Sequence, residues 1–231
     1  MDAKPIFIPI TDNGGGDIKA NTALCLMAGF SGRNVHIVRS SDSHPSRGGN
    51  KIVADFLESE CDVLLWIDGD IHFTQQHIAF IMEHDEPLVF GIYPKGQDDT
   101  PPCLCTFEEG SREYKGHLLE VRRAGRGFMR VHRTVFEAMK EDNGGPALHY
   151  HNHGRPEWDF FQNGVVEGDF SAYPSPQREW LSEDWYFCEQ ARYLGFKVLI
   201  DRRVMLSHEK SKVYSFAPKQ MDKKEDEQRG N

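Results

Sequence analysis

The sequence predicts an α/β fold built on a mostly parallel, mixed central sheet, and three observations carry that expectation. Strand-like and helix-like segments alternate along residues 5–92, the pattern of a parallel sheet with helical crossovers. Val63-Leu64-Leu65-Trp66-Ile67 is an unbroken apolar run of strand length, which marks a strand buried on both faces. The 231 residues are 39% hydrophobic and 11% aromatic, enough to build one sizeable core, so global disorder is excluded.

Pro5–Ile10 reads as the first strand, and Thr11–Gly16 as a polar loop after it. Asp17 or Asn21 caps a helix with Ala20, Leu24, Met27 and Ala28 on one face. Val35–Val38 is a second strand. After a loop at Ser40–Gly49, a helix with Ile52, Val53, Phe56 and Leu57 at helical spacing leads into Val63–Ile67. Thr74 opens the next helix, with Ile78, Ile81 and Met82 on one side, and Leu88–Ile92 is the strand behind it.

The second half changes character. Glu113–Arg133 alternates in places, which predicts strands of a mixed sheet, and Thr134–Met139 is a short helix. Residues 143–177 crowd glycines, prolines, histidines and aromatics without periodicity, and read as a long irregular loop suited to be a lid. Within it His149, His151 and His153 would share one face if extended, as zinc or nickel ligands or simply as a polar loop. Ser182 caps a helix with Phe187, Ala191 and Leu194 on its buried side and Gly195 at its end; Lys197–Ile200 is the last strand. The expected organisation is one domain, residues 1–217, with halves at 1–95 and 96–217, followed by a disordered charged tail at 218–231.

A formal net charge of −9 argues against a protein that grips nucleic acid through its phosphates. No stretch approaches the ~20 apolar residues of a membrane span, and Met1–Pro5 lacks a signal-peptide pattern. The cysteines at 25, 61, 103, 105 and 188 form no regular framework, so a reduced, cytoplasmic setting is expected.

Chemistry concentrates at three places. Asp68 and Asp70 lie at the end of the apolar run, on one side of it by strand alternation. Two such carboxylates repel unless a cation sits between them, and hard oxygen ligands suit Mg²⁺ or Mn²⁺ with positions open to phosphates. Carboxyl ends of central strands are where open α/β sheets bind ligands, so a metal–diphosphate site is expected. Glu183 and Asp184 open a helix, where they complement its dipole and, beside Trp185, also suit a general base next to an acceptor. His208 follows the final strand.

Taken in order, these motifs resemble those of metal-dependent nucleotide-sugar glycosyltransferases of the GT-A fold, of the small viral, phage and bacterial type similar to glycosyltransferase family 2. Leu64–Phe73 looks like the family's apolar strand with Asp-x-Asp. Arg126-Gly127-Phe128-Met129 looks like its Gly-Phe-Met strand, and Ser182–Val198 like its Glu-Asp helix and closing strand. The resemblance covers residues 5–210 and implies a Rossmann-like, three-layer α/β/α sandwich. It further implies transfer from a nucleotide sugar, a uridine diphosphate sugar, to a hydroxyl of a glycan or other acceptor, with Mn²⁺ or Mg²⁺. Nucleic acid enters only as a modified-base acceptor.

By the same resemblance, Asp70 binds the metal, Asp68 shares it or holds the donor ribose, and His208 completes the shell. Thr11, Asp12 and Gly69 contact the donor, as do Arg47 and Asn50, here separated by two glycines. Asp184 is the base with Glu183 beside it, and Gly127 and Trp185 face the acceptor. The aromatics Trp158, Phe160, Phe161, Tyr173 and Trp180 either stack on sugars or pin the loop to the core. Two other classes compete. Haloacid-dehalogenase-like phosphohydrolases also place Asp-x-Asp at a strand end, and an inactive relative would bind nucleotide or glycan without turnover.

Overall fold

A computed structural model of the chain describes residues 5–11, 22, 26, 29–30, 34–40, 42, 44–94, 113–168 and 177–209. Asp12, most of the helix expected near residues 17–28, Cys25, Cys103, Cys105, Tyr173 and the 218–231 tail lie outside them.

The core is a mixed, mostly parallel sheet of eight strands flanked by helices. At one edge β2 (Val35–Ser40), β1 (Ile6–Thr11) and β3 (Val63–Asp68) run parallel. Next comes β8 (Phe128–His132), antiparallel to both β3 and β5 (Leu88–Ile92). Beyond β5 lie β13 (Leu199–Met205), parallel to it, then β7 (Leu118–Glu120) and β6 (Glu113–Lys115), which close the sheet antiparallel. Consecutive βαβ order thus breaks at β8, which inserts between two strands that the sequence presents as neighbours.

Alternation along the strands splits the core in two. Leu64 and Trp66 of β3 face one side with Met129, Val131 and Phe90. Helices α1 (Pro45–Glu58), α3 (Arg133–Met139) and α4 (Glu183–Tyr193) cover this side through Ile52, Phe56, Phe136 and Phe187. Leu65 and Ile67 face the other side with Ile8 and Phe128, beneath Ile78 and Ile81 of α2 (Gln75–Met82) and beside Leu26 and Phe30. Every central side chain of β3 is therefore buried, which is why its sequence reads as continuous rather than alternating.

Local signals set the helix ends. Thr74 accepts from the His77 backbone N–H at 3.4 Å while the Thr74 N–H donates to His77 Nδ1, a capping box that starts α2. The carbonyls at and just past the end of α1 are satisfied from another helix. The Arg133 guanidinium donates to the carbonyls of Phe56, Leu57, Ser59 and Cys61 at 2.6–2.9 Å and stacks on the Phe56 ring. α1 begins at Pro45, inside the stretch expected to be loop, because Pro suits the first helical position and Gly49 is tolerated for a packing reason described below. Ser182 stands at the start of α4 as expected, although its side chain makes no capping bond.

Residues 143–177 are not one irregular loop. They carry the hairpin β9 (His149–Asn152) with β10 (Arg155–Trp158) and one strand of the hairpin β11 (Gly164–Gly168) with β12 (Gln177–Leu181). The inward face of the first hairpin is polar. Glu157, 1% exposed, accepts from the Tyr150 hydroxyl at 2.7 Å and from Asn152 at 3.3 Å. A strand whose buried positions are Tyr, Asn and Glu has no hydrophobic alternation to detect. Its two-residue turn, His153-Gly154, has φ of 50° and 85°, the conformation that matches strand twist. His149 and His151 do share a face, ring centroids 4.9 Å apart, but His153 leaves it at the turn. Among the described residues no helix is long and apolar enough to cross a membrane.

Candidate active site

The tripeptide Asp68-Gly69-Asp70 is held by three separate elements through backbone hydrogen bonds. The Asp68 N–H donates to the Gly127 carbonyl at 2.8 Å, the Gly69 N–H to the Thr11 carbonyl at 2.6 Å, and Asp70 accepts from the Glu209 N–H at 2.8 Å. The turn after β3 is therefore fixed by the ends of β1, β8 and the chain beyond β13. Two short strands complete it: β4 (Ile71–His72) pairs antiparallel with β14 (Ser207–His208). That ladder sets His208 Nε2 at 3.0 Å from Asp70 Oδ2, while His208 Nδ1 lies 3.0 Å from the Pro94 carbonyl. Residues 138 positions apart meet because the sheet brings their strand ends together.

A cleft of about 380 Å³ opens over this turn. It is lined by Thr11, Asp68, Gly69, Asp70, Glu183 and Asp184, all anticipated from the sequence, and also by Asp42, Arg126 and Glu209, which were not. Asp68 turns one oxygen, Oδ1, toward the Thr11 hydroxyl at 2.5 Å and the Trp66 indole N–H at 2.8 Å. Those two donors hold Asp68 away from a shared ligand position. Among the described residues, a trio of metal-ligating atoms within 4.8 Å of one another occurs instead at Glu83, His84 and Asp201, outside the cleft. There the Arg203 guanidinium already serves as the cation, donating to both Asp201 oxygens and to Glu83.

Arg126 is the residue that sequence reasoning missed. It is 7% exposed, and its guanidinium lies 4.7 Å from the ring centres of both Trp66 and Phe161. Its Nε stands 3.2 Å from Asp184 Oδ1 and its Nη2 3.6 Å from Glu183, while Nη2 donates to the Pro45 carbonyl. The guanidinium passes so close to α1 that a Cβ on Gly49 would lie 2.5 Å from Nη1 and 2.6 Å from the Phe161 ring. Gly49 is thus a packing requirement, and the Gly48-Gly49 pair was its signal in the sequence. Gly127 is constrained likewise: a Cβ there would lie 2.7 Å from the Tyr93 hydroxyl and 3.2 Å from Asp68 Oδ2.

Electrostatics single out Asp184. Burial, joined by the negative charges of Glu183 and Asp68, raises its carboxyl to about 7 against the downward pull of Arg126. Its Oδ1 is held by the Arg126 ion pair rather than by an aligned hydrogen bond. A carboxyl that titrates near neutrality in a cleft can take or give a proton at working pH.

Other anticipated residues stand elsewhere. Asn50, 3% exposed, donates to Asp159 at 2.8 Å and accepts from the Phe161 N–H at 3.1 Å, so it anchors the chain behind the cleft rather than lining it. Arg47 forms a two-bond pair with Asp42 at the rim. Trp185 lies under the Arg123 guanidinium, 5.2 Å from its ring centre, and does not line the cleft.

No protein-family model matches the chain, and no curated protein matches it. Among solved structures, the crystal structure of A197 from STIV aligns with a TM-score of 0.42 and 12% identity, over 93% of this chain and 98% of that one.

Proposed function

We propose that this chain is a metal-dependent glycosyltransferase of the GT-A, Rossmann-like type, moving a sugar from a uridine diphosphate sugar to an acceptor hydroxyl. The observation that carries the reading is the clamped Asp68-Gly69-Asp70 turn at the carboxyl end of β3, with His208 on Asp70 and Asp184 across the same cleft. Open α/β sheets bind ligands at this place.

Asp70 and Asp68 line a cleft with a large excess of negative charge, and the His208 imidazole stands 3.0 Å from Asp70, so hard oxygen donors that suit Mn²⁺ or Mg²⁺ are at hand although Thr11 and Trp66 draw Asp68 aside. Asp70 and His208 would hold the ion, with Asp68 joining when its side chain turns from Trp66. When bound, a divalent ion supplies positive charge that stabilises a departing diphosphate. The remaining chemistry belongs to the chain. Thr11 and Asp68 present a hydroxyl and a carboxylate oxygen to the donor ribose. Asp184 takes the proton of the acceptor hydroxyl at Oδ2 as the hydroxyl oxygen bonds the anomeric carbon. The bond from that carbon to the diphosphate breaks, and its electron pair leaves with the diphosphate. Arg126 holds Asp184 Oδ1 and keeps the base aimed.

The test is a panel of nucleotide sugars with Mn²⁺, scored by released nucleoside diphosphate. Wild type should cleave at least one donor, and Asp70→Asn should lower the rate by about two orders of magnitude or more with an unchanged unfolding midpoint. Equal rates, or no cleavage of any donor, would overturn the reading.

A further inference from the structure

Histidines occupy alternate positions from 149 to 153, and none of them lines the cleft. The structure keeps two of them together. His149 and His151 lie on the outer face of the β9–β10 hairpin, both exposed, with ring centres 4.9 Å apart. We propose that this pair is a second metal site. It takes one late first-row divalent ion, Cu²⁺, Ni²⁺ or Zn²⁺, on its two imidazoles and leaves the remaining positions to water. The site stands apart from the cleft and does not depend on the transferase reading.

Spacing is the first argument. Residues two apart on one face of a strand have Cβ atoms about 6.6 Å apart. The ring centres here are only 4.9 Å apart, so the two imidazoles lean toward each other. An imidazole nitrogen binds an ion such as Zn²⁺ at about 2.0–2.1 Å, which puts the ring centre about 3.2 Å from the metal. Centres 4.9 Å apart then subtend about 100° at a shared ion. That angle lies between the ~90° of adjacent square-planar positions, suited to Cu²⁺ or Ni²⁺, and the ~109° of tetrahedral ones, suited to Zn²⁺.

Availability is the second. His72, His77, His84, His132 and His208 each commit a ring nitrogen to a polar partner. Among the described residues, nothing hydrogen-bonds the ring nitrogens of His149 or His151; their rings touch each other and, for His149, Trp158 at 5.3 Å between centres. Four ring nitrogens on one small patch are therefore open to an ion.

The scaffold beneath them is fixed before any ion arrives. The His149 N–H donates to Glu141 at 2.7 Å, and Tyr150, between the two histidines, points inward to the buried Glu157 at 2.7 Å. Arg155 ties the opposite strand to α1 through Asp55 at 2.6 Å and Glu58 at 3.0 Å. Trp158, beside the His149 ring, is clamped under the Lys140 ammonium. A preorganised pair gives up little freedom on binding. His153 sits in the turn at φ 50° and has left this face, so two imidazoles, not three, form the site.

Ligand type selects the ion. Among the described residues, no carboxylate or thiol completes a trio of ligand atoms with the pair within 4.8 Å. Two nitrogen donors favour ions late in the first-row series and disfavour Mg²⁺ and Mn²⁺, which prefer oxygen. Metal preference thus separates this patch from the acidic cleft.

The test titrates the full chain with CuCl₂, NiCl₂, ZnCl₂ and MnCl₂, by calorimetry and by competition with a chelating dye. Histidine ring signals are followed by NMR as Ni²⁺ is added. Wild type should bind Cu²⁺, Ni²⁺ and Zn²⁺ at about 100 µM or tighter, with Cu²⁺ the strongest. His149→Ala and His151→Ala should each weaken that binding about tenfold or more, and His153→Ala less than about twofold, all with unchanged unfolding midpoints. Paramagnetic Ni²⁺ should broaden the His149 and His151 signals first. Equal affinity in His149→Ala and His151→Ala, an equal loss in His153→Ala, first broadening at His208, or no binding of any of the three ions would overturn the proposal.

Discussion

Replacing Asp184 with Asn tests the electrostatics of the cleft without relying on any substrate. The folded protein holds the Asp184 proton more tightly than the unfolded chain, with the carboxyl moved from 3.8 up to about 7. Stability from this group is therefore fully present below about pH 4 and is lost as pH rises through 7. At about 1.4 kcal/mol per pH unit of displacement, the full loss is about 4 kcal/mol, and about 2–3 kcal/mol of it falls between pH 5 and pH 8. Asn cannot titrate, so the variant escapes that loss. It also deprives Arg126 of the partner at 3.2 Å, but Arg126 stays charged throughout, and this offset is constant across the window. Urea unfolding at pH 5, 6, 7 and 8, followed by tryptophan fluorescence, should show the variant gaining about 2–3 kcal/mol relative to wild type from the acid to the alkaline end. A difference that stays constant within about 0.5 kcal/mol would refute the buried, proton-holding carboxyl. Under the transferase reading, turnover of wild type should rise about tenfold per pH unit below 7 and level off above it.

Two further substitutions probe the scaffold behind the cleft. Gly49→Ala should destabilise by about 1–3 kcal/mol despite Ala's better helix propensity, because its Cβ meets Arg126 and Phe161 at 2.5–2.6 Å; thermal unfolding reads this, and an unchanged or raised midpoint would contradict it. Arg133→Ala strips four carbonyls around the end of α1 of their donor and should cost about 2–4 kcal/mol in urea unfolding at constant slope, with Arg133→Lys recovering less than half. A loss under about 0.5 kcal/mol would show that water replaces the guanidinium there.

Elements whose side chains face apolar surroundings were legible in the sequence. Leu88–Ile92 and the Val63–Ile67 run appear where the hydrophobic pattern puts them, and Thr74 starts its helix through the capping bond its residue type suggests. The hairpins of residues 149–181 were not legible, because polar groups occupy inward positions and hide the two-residue period. Helix α1 began earlier than expected because Gly49 answers to Arg126 in the turn before β8, a distant neighbour that local propensity does not register.

The sequence by itself determined the apolar strand ending in two carboxylates, the acidic first turn of α4 and a histidine past the last strand, since residue type and local periodicity are properties of neighbours along the chain. Tertiary structure decided which of these meet. Pairing of β4 with β14 put His208 against Asp70, while the Thr11 hydroxyl drew Asp68 aside. The insertion of β8 beside β3 delivered Arg126 to the cleft, where its charge and the surrounding burial set the proton affinity of Asp184. Contacts between residues more than fifty positions apart follow from strand order and side-chain packing, and no window along the chain contains them.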